Sequence, residues 1–102
     1  MKRGEVWWAM ADKRRPVVLL SLDEAYAVRA LVLVAPVTTT VRGFSAEVKV
    51  GRAEGLPRPC VVNCDALTNL PKADLLERAG ALSGARLRQL EEALKFVLGL
   101  DG

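Results

Sequence analysis

The 102-residue chain contains no histidine, and this absence excludes several kinds of active site. A Ser-His-Asp or Cys-His nucleophile, a histidine metal ligand and a paired-histidine acid–base site all need an imidazole. Any catalysis by this chain must therefore use other side chains. The length suffices for one apolar core and not for two, so we expect a single domain over residues 1–102.

Cysteine is scarce, and the two that occur, Cys60 and Cys64, lie in one apolar run typical of a strand. Four steps along a strand span about 13 Å, whereas bridged Cα atoms must lie within about 7 Å. We therefore expect two reduced thiols in the core. Two cysteines without histidine do not complete a structural zinc site. The sequence predicts neither a metal nor a cofactor.

Long hydrophobic runs are also missing. No window approaches the roughly 20 apolar residues of a membrane span, and the amino terminus has no apolar stretch suited to a signal peptide. These absences predict a cytoplasmic protein that does not enter a membrane.

Charge is distributed unevenly along the chain. The formal net charge is +3, and residues 1–15 alone hold five basic and two acidic side chains, so the whole excess lies there. Arginine in this segment suits bidentate contact with phosphate. The simpler interpretation is a solvated basic terminus.

Apolar and β-branched runs predict five strands, and a sixth is expected near residues 79–82. The five runs are residues 6–10, 16–21, 28–35, 46–50 and 60–64. Residues 70–76 favour one helical turn. Of the adjacent Trp7 and Trp8, strand alternation places one in the core and leaves the other for a base or a dimer interface.

The end of the chain favours a helix. Ser83 can cap it, Gly99 can end it, and an apolar stripe runs between them at helical spacing. The stripe comprises Leu87, Leu90, Leu94, Val97 and Leu98. The predicted fold class is mainly β or α+β, a small barrel of five to six antiparallel strands with a C-terminal helix.

Polar residues at the ends of these strands indicate a shared site. A hairpin centred near Ala25 pairs residues whose numbers sum to about 50, which sets Arg15 across from Ala35. Thr38 then lies about 10 Å further along, within reach of an extended arginine. Strict pleating favours Thr39 over Thr38, but Pro36 disturbs the pleat, so periodicity leaves both threonines open. Together with Arg42, this arrangement indicates phosphate binding rather than cleavage.

Six short motifs, in order, resemble the successive motifs of the MazF/PemK toxins of type II toxin–antitoxin systems. They are Arg3-Gly4-Glu5-Val6-Trp7, Arg15-Pro16-Val17-Val18, Ala35-Pro36-Val37-Thr38-Thr39-Thr40-Val41-Arg42-Gly43, Glu47-Val48, Cys64-Asp65-Ala66-Leu67-Thr68 and Gly80-Ala81-Leu82-Ser83. The resemblance implies an SH3-like barrel with a terminal helix, the fold shared by CcdB and PemK toxins. It also implies a homodimeric, sequence-specific endoribonuclease of single-stranded RNA that a MazE-like antitoxin blocks.

The same resemblance assigns candidate site residues. The catalytic arginine falls on Arg15 and the catalytic threonine on Thr38. The candidate RNA-binding residues are Arg14, Thr39, Thr40, Arg42, Asp65 and Thr68, and the candidate proton acceptors are Glu5 and Glu47, with Asp65 a third available carboxylate. The implied reaction is metal-independent attack of the RNA 2′-hydroxyl, which leaves a 2′,3′-cyclic phosphate and a 5′-hydroxyl.

Physical chemistry narrows the two catalytic roles. The pKa of arginine lies above about 12, so Arg15 suits charge stabilisation better than proton abstraction. Thr38 then orients the phosphate or the attacking hydroxyl. The proton acceptor stays open between a carboxylate, an unusual arginine and water.

Two departures from the family pattern bear on the substrate. The segment 11–14 is shorter than the loop with which many relatives cover RNA, and Ala66 and Thr68 replace a glutamine and an arginine. We therefore expect a different cleavage specificity. The alternative functions are a CcdB-like toxin that binds DNA gyrase without cleaving RNA and a small nucleic-acid-binding barrel.

Overall fold

A computed structural model describes residues 1–10 and 12–100 of the chain. Ala11, part of the short segment between the first two strands, lies outside the described residues. The described part contains seven β-strands, two α-helices and three single 3₁₀ turns. In chain order they are β1 (Glu5–Met10), β2 (Arg14–Leu19), α1 (Ala25–Val28), β3 (Leu31–Thr38), β4 (Glu47–Val50), a turn at Arg52–Glu54, β5 (Cys60–Asn63), a turn at Cys64–Ala66, β6 (Thr68–Pro71), a turn at Lys72–Asp74, β7 (Leu75–Ala81) and α2 (Gly84–Leu98).

The strands form one curled antiparallel sheet in the order β4-β5-β3-β2-β1-β7, with β6 also paired to β3. Strand β3 joins the two halves of the sheet. Its first residues pair with β6 and its last two, Val37 and Thr38, pair with β5, while β2 pairs along its other edge. The predicted β-rich fold with a terminal helix is confirmed. Strand β6 was not predicted, because only Leu70 of its four residues is buried and so little apolar pattern marks it.

The sheet has an apolar core on each side. One core, which includes Val18, Val62 and Leu90, lies beneath α2, and the other includes Leu19 and Val34. Trp8 packs against the first core and Trp7 against the second. The predicted alternation of the tryptophans is confirmed, but each side chain has a core to pack against.

The connection between β2 and β3 differs from the prediction. Residues 25–28 form a helical turn that buries Tyr26, and Lys72 Nζ donates to the carbonyl oxygen of Tyr26 at 2.6 Å. Strand β3 therefore begins at Leu31 instead of residue 28, and Val17 pairs with Pro36. Paired numbers sum to 53 rather than to 50, so the predicted pairing of Arg15 with Ala35 is wrong.

Helix α2 forms as predicted. Ser83 Oγ accepts a hydrogen bond from the Arg86 amide at 3.2 Å, which satisfies one free donor of the first turn. Gly99 ends the helix with a φ of 68°, a left-handed conformation that glycine adopts without strain. The helix buries Leu90 and Ala93 against the sheet.

Both cysteines are free and buried, as predicted. Cys60 begins β5, whereas Cys64 lies just beyond the strand in a 3₁₀ turn. Burial raises the pKa of both thiols, that of Cys64 to about 11. Among the described residues no helix has the length and apolar character needed to cross a membrane.

Candidate active site

A cleft of about 270 Å³ opens where β2, β3, β4 and β5 come together. Four of its residues were proposed from the sequence as catalytic or RNA-binding, and one as a proton acceptor. The lining consists of Arg15, Pro36, Thr38, Thr40, Arg42, Glu47, Asn63 and Ala66. Two arginines, two hydroxyls, one amide and one carboxylate therefore share a small polar cavity.

Arg15 enters the cleft from β2, beside Pro16. Its Nε atom is buried and has no hydrogen-bond partner in the described part of the chain. The nearest carboxylate is that of Asp12, whose Oδ1 lies 3.7 Å away, too far for a hydrogen bond. A guanidinium carries five N–H donors and no acceptor, so Arg15 is prepared to bind an anion in the cleft.

Thr38 enters the cleft from the end of β3. Its Oγ1 accepts a hydrogen bond from the Thr40 amide at 3.1 Å, which turns the chain as the strand ends. The turn brings Thr40 to the same cleft and leaves Thr39 exposed outside its lining. Because the Thr38 oxygen is the acceptor in this bond, its hydroxyl proton is still available to donate.

The β2–β3 register explains why Arg15 and Thr38 meet. Each stands two residues beyond the Val17–Pro36 pair, so continuing the register places them across from one another on one face. The predicted pleating, which favoured Thr39, is wrong because the true register is shifted by an odd number of residues.

Arg42 and Glu47 complete the cleft from the segment between β3 and β4. The Glu47 carboxylate accepts hydrogen bonds from the amides of Arg42, Gly43 and Phe44. Across the β4–β5 ladder, Glu47 pairs with Asn63. The carboxylate thus lies in the cleft with main-chain donors around it.

Three other sequence-predicted residues lie outside the cleft lining. Arg14 forms an ion pair with Glu77, and its guanidinium lies 4.7 Å from the centre of the Trp8 ring. Asp65 is exposed within the 3₁₀ turn that follows β5, and Thr68 is exposed at the start of β6. The structure does not bring these side chains together with Arg15 and Thr38.

Glu5 also lies apart from the cleft. Its carboxylate accepts from Trp7 Nε1 at 3.0 Å and from the Lys2 amide at 3.0 Å, and pairs with Arg78 at 3.1 Å. Burial opposes ionisation, but these hydrogen bonds outweigh it and lower the pKa of Glu5. A carboxylate held in this way is a weak proton acceptor.

Asn63 is a cleft residue that the sequence analysis did not propose. Its Oδ1 accepts from the Asp65 amide at 3.0 Å and so fixes the side chain at the end of β5. The amide group can then donate to an anion. The signal in the sequence was its position, since a polar residue directly follows the buried run of β5.

A profile of the family described as "PemK-like, MazF-like toxin of type II toxin-antitoxin system" matches residues 2–98. The chain belongs to this family. It is 44% identical over 99 residues to a probable endoribonuclease MazF5 of Mycobacterium tuberculosis, covering 94% of this chain and 91% of that one. It is 40% identical to an endoribonuclease MazF3 of the same species, covering 91% and 90%.

Solved structures agree with this assignment. The M. tuberculosis toxin MazF-mt6 superposes with a TM-score of 0.92 at 38% identity, covering 96% of this chain and 99% of that one. A mycobacterial endoribonuclease in complex with its cognate antitoxin gives a TM-score of 0.90 at 26% identity, covering 100% and 98%. The predicted family and fold are both confirmed.

Proposed function

We propose that this chain is a type II toxin that acts as a sequence-specific, metal-independent endoribonuclease, with Arg15 and Thr38 as its catalytic residues. The observation that carries the proposal is that Arg15, whose buried Nε has no hydrogen-bond partner in the described part of the chain, lines the same cleft as Thr38. The relatives named as endoribonucleases, which are 40% and 44% identical over most of the chain, support the reaction class.

The chemistry that suits this cleft needs no protein nucleophile. The RNA 2′-hydroxyl loses its proton and its oxygen forms a bond to the adjacent phosphorus, while the bond from phosphorus to the 5′-oxygen breaks and the 5′-oxygen takes up a proton. The products are a 2′,3′-cyclic phosphate and a 5′-hydroxyl, and no water is consumed. Because the nucleophile belongs to the RNA, the site does not need a histidine to activate a nucleophilic side chain of the protein.

Arg15 and Thr38 divide the work in this reaction. The phosphorane transition state carries extra negative charge on its non-bridging oxygens, and two guanidinium N–H donors can stabilise it. The Thr38 hydroxyl orients the phosphate or the 2′-hydroxyl. Thr40, Asn63 and Arg42 contact the RNA backbone next to the bond that is cleaved. The proton acceptor is not Glu5, which lies away from the cleft and has a lowered pKa.

We propose that the working protein is a cytoplasmic homodimer that a MazE-like antitoxin inhibits. The complex of a mycobacterial endoribonuclease with its cognate antitoxin supports an antitoxin partner. Arg15 and Arg42 both line the cleft, so an acidic antitoxin segment can compete with RNA for the same arginines.

The direct test is to incubate the purified protein with a mixed-sequence RNA in EDTA and to sequence the fragments. We expect cleavage at a defined short sequence, with fragments that carry cyclic phosphate and 5′-hydroxyl ends. RNA that stays intact while the dimer is folded would contradict the proposal. Capture of DNA gyrase without RNA cleavage would instead favour the CcdB-like alternative.

A further inference from the structure

The eight residues 39–46 between β3 and β4 have little regular structure, although they carry two residues of the cleft, Thr40 and Arg42. Most of their side chains are exposed, including those of Val41 and Phe44. Packing against the core therefore does little to fix this segment. Contacts other than core packing must therefore position Arg42.

Glu47 provides the anchor. Its Oε1 accepts from the amides of Gly43 at 2.8 Å, Arg42 at 3.2 Å and Phe44 at 3.3 Å, and its Oε2 accepts from the Arg42 amide at 3.0 Å. Three successive amides thus converge on one carboxylate, and Gly43 takes a φ of 78°, which allows the chain to curl around it.

The carboxylate itself is held in place. Glu47 begins β4, pairs with Asn63 of β5, and is half-buried at the cleft wall. The anchor is therefore part of the sheet, whereas the segment that it holds is not. Oε1 accepts from all three amides, whereas Oε2 accepts only from Arg42, so the two lone pairs of Oε1 are already occupied and cannot take a substrate proton.

We propose that Glu47 is a positioning residue, which fixes the main chain of Arg42 so that the Arg42 guanidinium faces the RNA backbone in the cleft. It acts through three amide hydrogen bonds and not by proton transfer. This inference rests on the proposed endoribonuclease function and replaces the role of proton acceptor that the sequence suggested for Glu47. Arg42 has no ion-pair partner in the described part of the chain, so its charge is free for phosphate.

The decisive experiment compares Glu47→Gln with Glu47→Ala in single-turnover cleavage of an RNA that the wild type cuts. A glutamine Oε1 can keep all three amide contacts of the Glu47 Oε1 and loses only the second contact of Arg42, which an amide Nε2 cannot accept, whereas alanine loses every one of them. We expect E47A to lose about tenfold or more in kcat/KM, the scale of one lost hydrogen bond to a charged group, mainly through KM. E47Q should recover to within about fivefold of wild type, with an unchanged pH profile.

Arg42→Ala gives a matching comparison. If Glu47 acts by placing Arg42, E47A and R42A should raise KM alike, and the double variant should be little worse than either single one. Full additivity would overturn the inference. An E47Q variant as inactive as E47A would also overturn the inference, because an amide cannot replace a carboxylate that accepts a proton.

Amide hydrogen exchange supplies a readout that does not depend on catalysis. The amides of Arg42, Gly43 and Phe44 should be protected in wild type and in E47Q, and should exchange at least about tenfold faster in E47A. Glu24, exposed before α1 with no side-chain cap bond, provides the control pair E24A and E24Q. Fast exchange of the three amides in wild type would overturn the anchor. A wild type that never cleaves RNA but shows the expected exchange pattern would overturn the proposed function alone.

Discussion

Arg15 and Thr38 lie on the same face of the sheet, because each stands two residues beyond the Val17–Pro36 pair of β2 and β3. The relationship depends on the backbone and not on a contact between the side chains. The buried Arg15 Nε makes no hydrogen bond to any described residue, and the Thr38 hydroxyl keeps its proton after accepting from Thr40. We therefore expect a phosphate in the cleft to accept hydrogen bonds from both the Arg15 guanidinium and the Thr38 hydroxyl.

Replacing Arg15 tests the first half of this arrangement. We expect Arg15→Ala to lower kcat/KM for RNA cleavage by about 100-fold or more, the scale seen when one preorganised donor to a developing charge is removed. Arg15→Lys keeps the charge but loses the planar guanidinium. Its kcat/KM should therefore lie between those of the wild type and R15A. The measurement is single-turnover cleavage of a labelled RNA at fixed salt.

Arg29→Ala is the matched control, since Arg29 is exposed at the end of α1 and is not part of the cleft lining. It should cleave like the wild type. The assignment of Arg15 is wrong if R15A and R29A cut RNA at the same rate.

The role of the Thr38 hydroxyl is tested by a variant that keeps the shape of the side chain. Thr38→Val keeps the volume but removes the oxygen, so it loses both the acceptor for the Thr40 amide and the donor to the cleft. We expect a loss of about tenfold or more in cleavage, and Thr38→Ser should restore most of it. A valine variant as active as the serine variant would show that Thr38 serves only the strand.

The sequence predicted those parts of the fold that depend on local chemistry. Ser83 and Gly99 mark both ends of α2, and the β-branched runs mark the main strands, because caps and propensity act over a few residues. The predicted register of β2 and β3 was wrong because it depends on α1, where Tyr26 is buried in a core with residues distant in sequence, such as Leu70 and Leu75. A shift of three residues was enough to put Thr39, rather than Thr38, on the predicted face of Arg15.

In the candidate site, too, the sequence predicted the residues but not the contacts that depend on distant parts of the chain. Arg15, Thr38, Thr40 and Arg42 were all found from the family resemblance and from their place at strand ends, and all line the cleft. The same reasoning could not tell that Arg14, one residue from Arg15, faces Trp8 and Glu77 instead. Nor could it show that the Glu47 carboxylate is surrounded by amides, because those hydrogen bonds depend on how residues 39–46 fold back.

Gly80 provides a test of the packing between β7 and the turn at residues 52–54. A Cβ on Gly80 would lie 2.3 Å from the carbonyl oxygen of Glu54, which is main chain and cannot rotate away. We expect Gly80→Ala to lower the free energy of unfolding by about 1 to 3 kcal/mol, as overpacking does. Urea denaturation at fixed protomer concentration measures it.

Gly84→Ala is the control for this glycine. At Gly84 the nearest atom to a new Cβ is Arg88 Nη1 at 3.6 Å, an ordinary contact, and the residue begins α2. The substitution should be neutral or slightly stabilising, because alanine favours the helix. Equal effects of the two substitutions would show that β7 can move away from the turn.

The buried Cys64 thiol predicts how stability depends on alkaline pH. Burial, with a smaller contribution from Asp65, raises the pKa of Cys64 from 9.0 to about 11. Above pH 9 the unfolded chain loses this proton while the folded chain keeps it, so the free energy of unfolding falls as pH rises towards 11. For this fully buried group the loss by pH 11 is about 2 kcal/mol.

Urea denaturation of wild type and Cys64→Ser at pH 8 and pH 11 measures this loss. The free energy of unfolding of the serine variant should differ less between the two pH values. Tyr26, whose pKa burial raises to about 12, contributes equally to both proteins. Identical pH dependence in the two proteins would show that the thiolate is accommodated in the fold.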